Sequence, residues 1–112
     1  MRIEESQHGA VTVIRPLGPL ASQGDATLLD EHARKAVKQS HGRVVLDASK
    51  VSFIDSFGLE ALVDISDRLA SSGKSFRICG ISETLREVFA ITELTAKFQQ
   101  YEDVQGAVRS FL

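Results

Sequence analysis

The chain has 112 residues, 43% apolar and 25% charged, with thirteen Lys plus Arg against fifteen Asp plus Glu, a formal charge of -2. That length suits a single domain over residues 1–112 with one core, the composition excludes a disordered or fibrous chain, and the small net charge excludes recruitment of nucleic acid or anionic lipid by a global field. No stretch approaches the roughly 18 to 20 uninterrupted apolar residues of a membrane span, MRIEESQHGA lacks the apolar run of a signal peptide, and the single Cys79 cannot form an internal disulfide, so a reducing, cytoplasmic location is expected.

In chain order, VTVIRPL at 11–17 alternates and is β-branched, predicting a strand, with Arg2 to Gln7 as an edge strand paired to it across His8-Gly9. Gly18-Pro19-Leu20 and the polar SQGD of 22–25 break the pattern. Leu29, Ala33, Ala36 and Val37 then recur at helical spacing to about Ser40, with Glu31, Arg34, Lys35 and Lys38 on the opposite face. His41-Gly42 stops that helix, and Arg43 to Asp47 is a nearly continuous apolar run, the mark of a central strand covered on both faces. A second helix is expected from Ser56 to about Ser72, burying Leu59, Leu62, Val63, Ser66 and Leu69 and ending at Gly73. Ser75 to Cys79 predicts a strand, Ser82 the cap of a third helix with Leu85, Val88 and Phe89 inward, Lys97 to Gln99 a last strand, and Asp103 to Phe111 a closing helix. The expected fold class is therefore α/β in the order ββαβαβαβα: a mostly parallel central sheet, an opening antiparallel hairpin and about four helices.

The junction SFIDSFGLEA, residues 52–61, carries the chemistry. Asp55 fits a helix N-cap. Ser56 then takes the first helical position, and Gly58 the third, where glycine costs roughly 1 kcal/mol relative to alanine. A missing side chain there either relieves a backbone conformation forbidden to other residues or leaves a bare patch that another surface approaches closely. Ser56 would point outward at the positive end of the helix, a place that stabilises an attached phosphate. A phosphoserine carries about -1.5 to -2 charges, beside Asp55 and near Glu60, and a partner packed there would have to desolvate a dianion. Ordinary capping without regulation explains the same residues.

The run VVLDASKVSFIDSFGLEAL, residues 44–62, resembles the core signature of STAS domains of the bacterial anti-sigma factor antagonist type. Gly18-x-Leu20 and FRICGISETLREVFAITELTAKF, residues 76–98, extend the resemblance over nearly the whole chain. It implies the STAS fold and a cytoplasmic, non-enzymatic partner-switching protein in transcription regulation. Its partners would be a serine protein kinase that doubles as an anti-sigma factor, and a metal-dependent serine phosphatase. Carried over, Ser56 is the phosphoacceptor, Asp55 and Gly58 frame it, and Asp55, Phe57, Gly58, Leu59 and Glu60 form the partner-binding segment. Two departures stand out: Phe57 occupies a usually small position and would narrow the fit to partners, and Ala21 replaces a frequent Asp after Gly-x-Leu.

The same fold would also serve as a STAS subunit of a lipid-transport ATP-binding-cassette complex, with a fixed interface, or as a signalling scaffold without sigma-factor control. A hydrolase reading fares worse. The nucleophile elbow needs glycines two before and two after the serine, and position 54 is Ile. His8, His32 and His41 are expected to be solvated rather than catalytic. Cys79 stands alone in a strand, expected in the core, and no glycine-rich phosphate loop occurs, so neither metal nor cofactor is expected. Glu60, Asp64 and Asp67 continue from Ser56 as an acidic face, solvated or partner-facing, with Asp64 and Arg68 expected to pair at i, i+4. Asp47 would either orient the Ser56 loop or stabilise its own turn.

Overall fold

Alternation along the strands decides the layering. In the computed structural model, which describes all 112 residues, β1 (Arg2–His8) and β2 (Val11–Leu17) form an antiparallel hairpin closed by the tight turn at Gly9, whose φ of 63° suits glycine. The chain continues through α1 (Gln23–Ser40), β3 (Arg43–Asp47), α2 (Ser56–Ser71), β4 (Ser75–Cys79), α3 (Glu83–Ile91), β5 (Gln99–Tyr101) and α4 (Val104–Arg109). The sheet order is β1-β2-β3-β4-β5, parallel from β2 onward. Each crossover steps one strand in the same direction, so right-handed connections lay α1, α2 and α3 on one face.

That face holds the larger core: Ile14, Val44, Leu46, Phe76 and Ile78 from the sheet meet Leu29, Ala33 and Ala36 of α1, Ala61, Leu62, Ile65 and Leu69 of α2, and Leu85 and Phe89 of α3. Each large aliphatic side chain removed from water there contributes roughly 1.5–3 kcal/mol. The alternate residues Val11, Val13, Val45 and Cys79 form a smaller cluster with Ala107 of α4 on the reverse face. The expected architecture is thus the observed one, and Cys79 is buried. No helix is long and apolar enough to cross a membrane.

Four local expectations need correction. Gln23-Gly24-Asp25 is not a break but the first turn of α1, because Ser22 caps it by accepting the Asp25 amide at 3.0 Å. The last strand is Gln99–Tyr101 rather than 97–99, since Phe98 turns into the core against Phe89, ring centroids 5.2 Å apart. The closing helix is Val104–Arg109, with Asp103 as its cap rather than its first residue. On α2 the buried positions are Gly58, Ala61, Leu62, Ile65 and Leu69, while Leu59, Val63 and Ser66 are half-buried at the edges of that stripe.

Candidate functional site

The start of α2 is pinned by the loop that leaves β2. Gly18 donates its amide to the Lys50 carbonyl at 3.1 Å, Leu20 to that of Phe53 at 3.1 Å, and Asp55 to that of Leu20 at 3.0 Å. These bonds zip residues 18–20 alongside 50–55, with Leu20 and Ile54 paired as a short parallel bridge. Both Leu20 and Ile54 are buried, which anchors the zip in the core.

On this base Asp55 caps α2: its backbone is extended (φ -104°, ψ -172°) and its carboxylate accepts the Gly58 amide at 3.0 Å. Ser56 is the first residue of the helix and is exposed. Its hydroxyl stands where the unpaired amides of a helix N-terminus favour negative charge.

Gly58 lies elsewhere than expected. It is buried, and a Cβ there would sit 2.4 Å from the Leu20 carbonyl oxygen and 2.6 Å from Cγ1 of Ile54. Its φ is not in the left-handed region. Of the two expectations for this glycine, close approach is the one realised, but the approaching surface is the protein's own β2–α1 loop. The assignment of Gly58 to a partner-facing surface is therefore corrected: it positions the helix start from beneath.

The remaining segment is open. Phe57 is 46% exposed and Phe53, just ahead of the helix, 48%. Sequence reasoning missed Phe53; its signal was a large apolar residue on the helix entry with no counterpart in the apolar periodicity. Leu59 is half-buried against the core and Glu60 is exposed. Beside them a groove between α1 and α2, about 350 Å³, is lined by Gln23, Ala26, Thr27, Asp30, Phe57, Glu60, Ala61 and Asp64.

Charges around the groove are distributed by contacts across helices. Arg68 does not pair with Asp64 at i, i+4, as expected, but reaches Oδ1 of Asp30 on α1 at 2.6 Å, while Arg34 holds Oδ2 at 2.8 Å. Burial raises the Asp30 carboxyl's pKa, but the hydrogen bonds from Arg34 and Arg68 outweigh it and hold the group below the usual 3.8. Asp67 pairs with Lys97. Glu60 and Asp64 consequently keep free carboxylates one turn apart, on the face that begins at Ser56.

Other singled-out residues lie apart. Asp47 is 7% exposed on the reverse face and accepts the Ser49 amide at 3.0 Å, the turn-stabilising alternative. The Ala21 amide donates to the Asp25 carboxylate at 3.2 Å, so an acidic group serves this loop from four residues downstream. His8 is exposed on β1 and His41 forms the left-handed cap of α1. His32 is half-buried and bonded to Glu5 of β1, not solvated as expected. Burial, followed by the charges of Asp47 and Asp103, pushes the Cys79 thiol up to about 12.

A similar fold recurs in known structures. An anti-sigma factor antagonist from Mycobacterium paratuberculosis matches with a TM-score of 0.82 at 22% identity, over 97% of this chain and 92% of that one. The Bacillus cell fate determinant SpoIIAA in its phosphorylated form matches with a TM-score of 0.71 at 18% identity, over 97% and 99%. Murine Solute Carrier 26 family member A9, an anion transporter, matches with a TM-score of 0.73 at 17% identity, over 92% of this chain but 18% of that one. These likenesses establish a shared fold. The family model of the STAS domain matches residues 2–107, and the chain belongs to the STAS domain family.

Proposed function

We propose that residues 1–112 act as one cytoplasmic, non-enzymatic signalling module of the anti-sigma factor antagonist type. It docks a serine protein kinase that serves as anti-sigma factor, is released by phosphorylation of Ser56, and is reset by a serine phosphatase. The observation that carries this reading is an exposed serine at the first position of a rigidly pinned helix, flanked by two half-exposed phenylalanines. A docking surface needs an apolar anchor beside a rigid frame, and Phe53 and Phe57 supply the anchor. Asp55, Leu59 and Glu60 complete the contact segment, with Gly58 supporting it from below.

The switch is electrostatic. A complex that packs over Ser56 excludes water there, and a dianion placed in that contact must be desolvated; an unpaired buried charge costs about 3–5 kcal/mol, or two to four decades of affinity. Phe57 narrows partner choice by filling space a smaller residue would leave.

The test is titration of the cognate kinase with wild type, Ser56→Ala and Ser56→Asp. Ser56→Ala should bind like wild type and resist release by ATP, and Ser56→Asp should bind at least about tenfold more weakly. Equal binding of all three would overturn the reading. So would mass spectrometry of the protein from its native cells that found no phosphatase-sensitive phosphate under several growth and stress conditions. That second result would favour a fixed interface, such as one within a transport complex.

A further inference from the structure

The groove between α1 and α2 changes sign along its length. Asp30 is the divide: toward the helix N-termini lie Glu60 and Asp64, whereas toward the C-termini a pocket of about 240 Å³ is lined by Arg34, Val37, Lys38, Arg68, Leu69, Ser72 and Lys74. Three of its four cations are held in place. Asp30 fixes Arg34 and Arg68 through separate oxygens, leaving further N–H donors of both guanidinium groups free. Lys74 lays its stem across Gly42, so closely that a Cβ on Gly42 would meet its Cδ at 2.0 Å, and its Nζ donates to the His41 carbonyl at 3.2 Å. Lys38, in the last turn of α1, has no carboxylate partner.

Cations at helix C-termini ordinarily offset the helix dipole, and magnitudes decide whether that suffices. Two C-termini contribute about half a negative charge each. With the single Asp30 carboxylate they leave four cations in excess by about two charges. The pocket floor, Val37 and Leu69, is apolar, which lowers the effective dielectric under that excess.

We propose that this pocket is a binding site for a phosphate dianion, as the free ion or as a small phosphomonoester. Two charges match the excess, the planar guanidinium forks suit phosphate oxygens, and the apolar floor accepts the carbon body of an ester. The site lies at the opposite end of α2 from Ser56 and is independent of the partner-switching reading.

The experiment is a ¹H–¹⁵N titration of the domain with inorganic phosphate and with glycerol phosphate, against sodium chloride at matched ionic strength. Saturable shifts are expected at the amides of Lys38, Ser72 and Lys74 and at the side-chain Nε–H of Arg34 and Arg68, with Kd of roughly millimolar order. A Lys38→Gln, Lys74→Gln double variant, whose spectrum reports its fold, should weaken binding about tenfold for each charge-assisted hydrogen bond lost. Stronger saturation with the ester than with the free ion would identify the ester as the source. Shifts that chloride reproduces, shifts that the double variant retains in full, or saturation by an acidic peptide but not by phosphate would each overturn the proposal.

Discussion

Replacing Gly58 by alanine sets two effects of opposite sign against each other. Inside a helix alanine is favoured over glycine by about 1 kcal/mol, so propensity alone would make the variant more stable. The added methyl, however, falls 2.4 Å from the Leu20 carbonyl oxygen and 2.9 Å from the Leu20 Cβ, both in a buried segment. The backbone oxygen cannot rotate away without giving up the bond it accepts from Asp55, worth about 1 kcal/mol net, and overpacking of this kind costs about 1–3 kcal/mol. The clash wins: Gly58→Ala should lose about 1–3 kcal/mol in urea unfolding, lowering Tm by several degrees. Gly24→Ala supplies the control, since its Cβ would meet only Ser22 Oγ at an ordinary 3.8 Å; it should be neutral or gain up to about 1 kcal/mol. Equal effects for the two variants, or a stabilised Gly58→Ala, would refute the close-approach account of this glycine.

Three further outcomes are expected. Asp55→Ala removes the cap of α2 and should cost about 1 kcal/mol by denaturant unfolding, while Asp55→Asn should keep most of that stability. The Cys79 thiol, raised from 9.0 to about 12, should resist iodoacetamide at pH 8 in the folded protein and react once urea unfolds it; because its folded pKa is the higher, stability should also fall between those two pH values. Asp30 has a lowered folded pKa, so its contribution is present above its ordinary 3.8 and is lost as pH falls through the lower folded value; Asp30→Asn should flatten the loss of stability as pH falls below 3.8, relative to wild type.

Strand and helix types were legible because alternation and helical spacing report burial directly: Val44, Val45 and Leu46 announce a strand covered twice, and Leu62 and Leu69 the inward stripe of α2. Boundaries failed where one tertiary contact outweighed local pattern. Phe98 leaves the strand register because Phe89 offers it a buried partner, and Gln23 joins a helix because Ser22 can cap it. At the site, the cap and the exposed serine followed from residue type and position. The role of Gly58 did not, since it depends on Leu20, thirty-eight positions earlier, and no pairwise spacing rule connects them. Arg68 is the same lesson in charge: the i, i+4 rule offers Asp64, but right-handed crossovers set α1 beside α2, and Asp30, already aligned by Arg34, competes more strongly.

That choice by Arg68 shapes what a phosphate on Ser56 would do. Had Arg68 paired with Asp64, a cation would stand in the acidic half of the groove; instead Arg34, Lys38, Arg68 and Lys74 gather at the far end of the helices. The groove beside Ser56 is lined by no lysine or arginine, and neither Glu60 nor Asp64 is in an ion pair. A phosphoserine there would gain from the helix N-terminus, worth about 0.3–1 kcal/mol at an exposed site, without a guanidinium to draw it inward and reorder the fold. Its effect would therefore fall on whatever covers the serine. On the proposed reading, a domain of this charge distribution would report phosphorylation through lost contact with a partner rather than through a change of its own shape, so the amide spectrum of a protein phosphorylated on Ser56 should differ from that of the unmodified one only around Asp55 to Glu60. Shifts spreading into β3 or β4 would show that the switch acts through the core instead.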